Sequence, residues 1–188
     1  MARSNNTQVA VMGMLALGAR TGYDIRRECE EKLSHFWSES YGQIYPVLRD
    51  LHARGYVHKE VVTEAARRKN VYALTDDGRR VLRDWLATPA QPLKVRDELL
   101  LKVFMGRIVD TGALDAVLED FAERVEQRLA VLEGIGEAIR AESAEHPDAP
   151  YWLLTLDFGL RSLAAQAEWA LASRSTLQSI HASAETSA

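Results

Sequence analysis

The chain has 188 residues, a single cysteine and no long apolar run. One cysteine, Cys29, excludes an internal disulfide and cannot by itself hold a structural metal ion. The longest apolar stretch is "VAVMGMLALG" at residues 9–18. It is far shorter than the roughly 20 residues a membrane-spanning helix needs, and no signal-peptide pattern surrounds it. These absences predict a cytoplasmic protein with no membrane association. Catalytic signatures are missing too. His35, His52, His58, His146 and His181 are scattered, with no HExxH and no pair of carboxylates at ligand spacing. There is no GxGxxG, no P-loop and no GxSxG elbow. The expectation is a protein that is not an enzyme and has no cofactor and no metal site.

What remains is a globular composition, 47% hydrophobic and 27% charged, with room for one ordinary domain or two small ones. The net charge of -4 is unevenly spread. Residues 1–88 carry 14 Lys and Arg against 11 Asp and Glu, whereas residues 89–188 carry 9 against 16. Attraction to phosphate follows local potential, so a mildly basic half joined to an acidic one is compatible with DNA. The halves meet at "ATPAQPLKV", residues 87–95, where two close prolines end the preceding helix. The reading divides the chain into residues 1–88, residues 89–176, and a frayed tail at 177–188.

The first half reads as three helices, two strands and a helix. The first helix runs from Thr7, as N-cap, to Leu17, with Gly18 as its stop. Thr21 and Asp24 have capping-box spacing and open the second, whose apolar positions are Ile25, Cys29, Leu33 and Phe36. That spacing makes Cys29 a core residue, since a reactive thiol needs a basic partner that the sequence does not place. In the third helix Ile44, Val47, Leu48 and Leu51 form one stripe, and Gly55 ends it. The opposite face carries Gly42, Pro46, Arg49 and Ala53, a thin surface with one guanidinium. Pro46 requires that the helix begin near Ile44 or be kinked there.

Two segments rich in β-branched and aromatic residues follow, "YVHKEVVT" and "NVYALT", with Arg67, Arg68 and Lys69 at the tip between them. A hairpin with a basic tip directly after a thin-faced helix outlines a winged helix-turn-helix. Its third helix would enter the major groove while the wing reaches phosphates or the minor groove. Thr75 then caps a helix whose Val81, Leu82, Trp85 and Leu86 face the core.

The second half has a different periodicity. Leu114, Leu118, Phe121, Val125, Leu132, Ile135 and Ile139 keep a 3-4 register that only Arg128 interrupts. Leu153, Leu156, Leu160, Leu163, Ala167 and Ala170 continue it on a second helix, after the turn "AEHPDAP". Two such helices cannot bury both seams alone, so these leucines, with Phe121 and Val125, predict a homodimer. The fold class is therefore mainly α: an N-terminal winged helix-turn-helix followed by a C-terminal antiparallel helical dimerisation domain. Trp152 and Trp169 flank Gly159, Ser162 and Gln166 on the last helix. That strip would suit either a small aromatic effector or another helix.

The segments "LALGARTGYDIRRECEEKL", "GQIYPVLRDLHARGYV" and "RRKNVYALTDDGRRVLRDWL" resemble the PadR family of bacterial transcriptional regulators. The second half, in "RDELLLKVFMG" and "YWLLTLDFGLRSLAAQAEWAL", resembles the virulence-activator-like C-terminal domain of one branch. The resemblance implies a dimeric regulator, most often a repressor, of double-stranded DNA with a dyad-symmetric operator. It places Ser40, Tyr41, Gln43, Tyr45 and Arg49 on the recognition helix or its approach, and Arg67, Arg68 and Lys69 in the wing. Tyr23, after Gly22, would pack under the recognition helix. Arg49 is the candidate for guanine contact, or else pairs with a carboxylate. The rival reading is a winged-helix protein-interaction or ligand-binding module that does not bind DNA specifically.

Overall fold

The computed structural model describes residues 6–18, 20–33, 36–37, 41–64, 67–92 and 96–186. For Lys32, Tyr41, Glu64, Arg67, Thr111, His181 and residues 183–186 the description is confined to the backbone. The chain divides into two compact units, residues 1–92 and 93–188.

In the first unit α1 (Asn6–Ala16) is apolar on nearly every side, so it sits in the middle and packs on four neighbours. These are α2 (Gly22–Lys32), α3 (Ile44–Ala53), β2 (Arg67–Leu74) and α4 (Asp76–Leu86). Thr7 lies within α1, buried, and is not its N-cap. The capping box at α2 is present. The Thr21 hydroxyl accepts from the Asp24 N–H at 3.1 Å, and the Asp24 carboxylate accepts from the Thr21 N–H at 3.0 Å. Burial opposes the charge on Asp24, but the bonds to Thr21, with Arg27 nearby, outweigh it and hold the carboxyl below its usual range. Ile25 and Cys29 are buried, and burial pushes the Cys29 thiol up to about 11, so it stays neutral. Phe36 departs from the reading: α2 stops at Lys32, and Phe36 lies beyond it, exposed.

The stripe of α3 is buried as its spacing requires. The helix ends in a Schellman turn, with Tyr56 N–H donating to Leu51 O at 2.9 Å and Gly55 N–H to His52 O at 3.0 Å. Gly55 sits at φ 74° there, in the left-handed region that a Cβ disfavours. β1 (Val57–Glu64) pairs antiparallel with β2, Val57 opposite Leu74. Thr75 caps α4 by accepting from Gly78 N–H, and donates to Gly55 O at 2.8 Å. Leu82 is buried and Val81 packs on the core, but Trp85 is 38% and Leu86 66% exposed. The helix turns these two outward within the single chain.

The second unit is a long helical hairpin, α6 (Thr111–Glu142) against α7 (Ala149–Thr186). The predicted seam residues are where that hairpin closes. Leu114, Leu118, Val125, Leu132, Leu156 and Leu163 are buried, and Phe121, Leu153 and Leu160 pack against them. The expectation that they face a partner chain is thus corrected: two antiparallel helices with matched registers cover each other's stripes. Arg174 pins the open end, donating to both Asp115 oxygens at 2.9 and 3.0 Å while also reaching Glu119 at 2.9 Å. The α7 helix also continues through residues 177–186, assigned above to a frayed tail, because extending a nucleated helix through alanine, serine and leucine costs little. An element not foreseen precedes the hairpin. It is α5 (Glu98–Phe104), capped by Asp97, which accepts from Leu100 N–H at 3.0 Å.

Candidate nucleic-acid interface

A short 3-10 turn, Tyr41–Gln43, leads into α3, which begins at Ile44. Pro46 is then the third residue of the helix, where its missing N–H breaks no intrahelical bond, so the helix needs no kink. Gln43 makes no capping bond and its side chain is exposed. Arg49 is exposed and, among the described residues, forms no ion pair. Its neighbour Asp50 is occupied elsewhere, accepting from Gln8 at 2.8 Å and from Arg54 at 3.2 Å. Gln8 ties α3 to α1, and Arg54 lies over the Tyr56 ring at 4.8 Å. Those contacts occupy Arg54, the residue after α3, and leave Arg49 uncommitted.

Tyr45 has a seat on α2. A Cβ at Gly22 would stand 2.6 Å from the Tyr45 ring, so only glycine leaves room for it. Tyr23, expected under the recognition helix, is instead 66% exposed, since the ring that meets α2 there is that of Tyr45. Tyr72 lies close by. Burial and the nearby Tyr45 push its phenol up, while Arg49 pulls it down. Tyr45, Arg49 and Tyr72 therefore form one cluster where α3 meets β2.

The wing differs in one respect from its sequence reading. Arg67, Arg68 and Lys69 are not in the loop but are the first residues of β2, opposite Glu64, Thr63 and Val62. Successive strand residues alternate faces, so the three cations cannot act together on one side. Arg68 shares the face of Asn70, the buried Tyr72 and, across the pair, Lys59 and Thr63. Lys69 shares the other face with Glu60. The first face holds cations without carboxylates, and the second mixes signs. Lys59 and Asn70 escaped the sequence reading, because only the pairing of the two strands sets them on the face of Arg68. Arg20 also lies here, its carbonyl accepting from Tyr72 N–H at 2.7 Å. Ser40 and the side chains of Tyr41 and Arg67 fall outside the described residues.

Residues 11–84 match the Transcriptional regulator PadR-like family, and residues 95–178 match the family described as Virulence activator alpha C-term. The Negative transcriptional regulator PadR of Bacillus subtilis is 30% identical over 151 residues, spanning 77% of this chain and 83% of that protein. The chain belongs to the PadR-like family of transcriptional regulators. Its structure is similar to that of Bacillus subtilis PadR in complex with operator DNA, with a TM-score of 0.80 and 28% identity over 90% of this chain and 98% of the other. Bacillus subtilis PadR in complex with p-coumaric acid is similar too, at a TM-score of 0.73 and 26% identity over 91% and 98%.

In this PadR-family chain the residues expected at an effector site part company. Trp152 stacks on His146 with ring centroids 4.7 Å apart, near the α6–α7 turn. Trp169 stands edge to face with Phe121 at 6.2 Å and lines a cavity with Gln166. Trp169 stands seventeen positions along the helix from Trp152, about 25 Å, so one small molecule cannot touch both. No helix among the described residues is long and apolar enough to cross a membrane.

Proposed function

We propose that this chain is a dimeric repressor that acts in the cytoplasm on a dyad-symmetric operator and responds to a small aromatic effector. The observation that carries the DNA reading is the uncommitted Arg49 on the thin face of α3, beside a wing face whose charges, Lys59 and Arg68, are both positive. Arginine can pair bidentately with guanine in the major groove, while wing cations hold phosphates. The operator-DNA complex of the Bacillus subtilis relative supports the same use of the fold. Fluorescence anisotropy with DNA from upstream of the gene, against scrambled DNA at two salt concentrations, tests it. Binding should prefer the upstream fragment and weaken as salt rises. In a variant with Arg67, Arg68 and Lys69 all replaced by alanine, the salt slope should fall by roughly one unit for each cation that meets a phosphate. Salt-insensitive binding to another protein, with none to DNA, would favour the interaction-module reading.

The dimer reading moves to another surface. α5 buries no residue within the chain, and seven residues are too few to hold a helix alone. Leu101 is 56% and Phe104 89% exposed on this helix, and Ile108, in the turn just after it, is 81% exposed. A second copy is the occupant that the family's regulators and this apolar row both suit. Sedimentation should find a dimer for the unaltered chain and a monomer–dimer mixture for Phe104→Glu. A stable dimer in that variant would place the interface elsewhere.

A further inference from the structure

The C-terminal unit contains a cavity of about 360 Å³ between α5 and the α6–α7 hairpin. That volume admits a one- or two-ring molecule. Leu99, Leu100, Phe121 and Trp169 make most of its wall, and Gln166 and Asp97 supply polar groups. Phe121 and Trp169 meet at 83°, which gives the cavity two perpendicular aromatic walls. Among the described residues that line it, Asp97 alone is charged, and no Lys, Arg or His lines it. One Asp97 oxygen accepts the capping bond from Leu100 N–H at 3.0 Å, and among the described residues the second accepts no such bond.

We propose that this cavity binds a flat aromatic amine, cationic at neutral pH, with its rings against Trp169 and Phe121 and its ammonium toward Asp97. The inference rests on the effector reading above and narrows it to a ligand class. Two features select the charge. A lining whose described residues carry a carboxylate and no cation repels an anionic ligand and attracts a cation. Tryptophan is also the best aromatic partner for a cation. The class differs from p-coumaric acid, the acidic molecule held by the Bacillus subtilis relative, because the described residues of this lining offer no cation to a carboxylate.

Calorimetric titration of the full chain without DNA tests the proposal, using tryptamine as the cation and indole-3-propionate as an anion on the same ring system. Tryptamine should bind about fivefold or more tightly than indole-3-propionate, the range of one partly exposed ion pair. Asp97→Asn should bring that ratio to near one while leaving thermal unfolding unchanged, because asparagine caps a helix as well as aspartate does. Trp169→Ala should weaken both ligands. Equal binding of the two probes, binding of neither, or a preference that survives Asp97→Asn would overturn the proposal. The regulator reading stands or falls apart from it. A chain that binds DNA but not tryptamine refutes the cavity, and one that binds tryptamine but no DNA refutes the regulator.

Discussion

Gly78→Ala is expected to destabilise the N-terminal unit by about 3 kcal/mol, lowering its unfolding midpoint by roughly 15 °C. Helix propensity alone argues the other way, since alanine is favoured over glycine in a helix interior by about 1 kcal/mol. Geometry decides the sign. A Cβ at Gly78 would lie 2.1 Å from the Tyr56 carbonyl oxygen and 3.1 Å from its carbon. That oxygen is backbone and accepts from Thr75 N–H at 3.1 Å, while Tyr56 N–H is held in the Schellman turn of α3. Relief requires either α4 to lift from the core or the turn after the recognition helix to open. Both movements break capping bonds of Thr75. Thermal and urea unfolding followed by near-ultraviolet circular dichroism would show the change. A variant as stable as the parent would mean that α4 and the Tyr56 carbonyl are not in close contact.

The second large effect concerns DNA. Gly22→Ala should reduce operator affinity by about tenfold or more, with a loss of stability below about 1 kcal/mol. Tyr45 is 58% exposed, so its ring can swing outward when a methyl group takes its place on α2, and the core survives. What changes is the start of α3 and the surroundings of Arg49, the candidate for base contact. A double-mutant cycle isolates the contact. Gly22→Ala in a Tyr45→Ala background should cost almost nothing further, because the clashing ring is gone. Equal losses in both backgrounds would show that Gly22 acts through something other than Tyr45.

Several features were legible because they are local. Thr21 and Asp24, three residues apart, close a capping box whatever lies beyond them. The stripes of α3, α6 and α7 follow from helical period, and Gly55 marks a stop because a left-handed residue is needed after Arg54. Misplaced features turned on partners or on strand ends. Phe36, Trp85 and Leu86 keep apolar spacing, but spacing says nothing of where a helix ends or which turn meets the core. Three charged residues in a row, Arg67, Arg68 and Lys69, resemble a loop in sequence. Pairing with Val62, Thr63 and Glu64 draws them into the strand. α5 is too short to show a period at all.

The sequence by itself determined the family, the two-part organisation, the elements of the winged helix and the apolar registers of the two long helices. Each depends on residues within a turn or two of one another, where periodicity, capping and glycine conformation act. Tertiary structure decided which apolar stripe meets which. It turned the expected intermolecular seam into the hairpin's own core and left α5 as the uncovered row. It also separated Trp152 from Trp169 and placed Asp97 beside the latter's cavity. Burial and strand register are properties of pairs far apart in the chain, and a pattern along one segment does not name its partner.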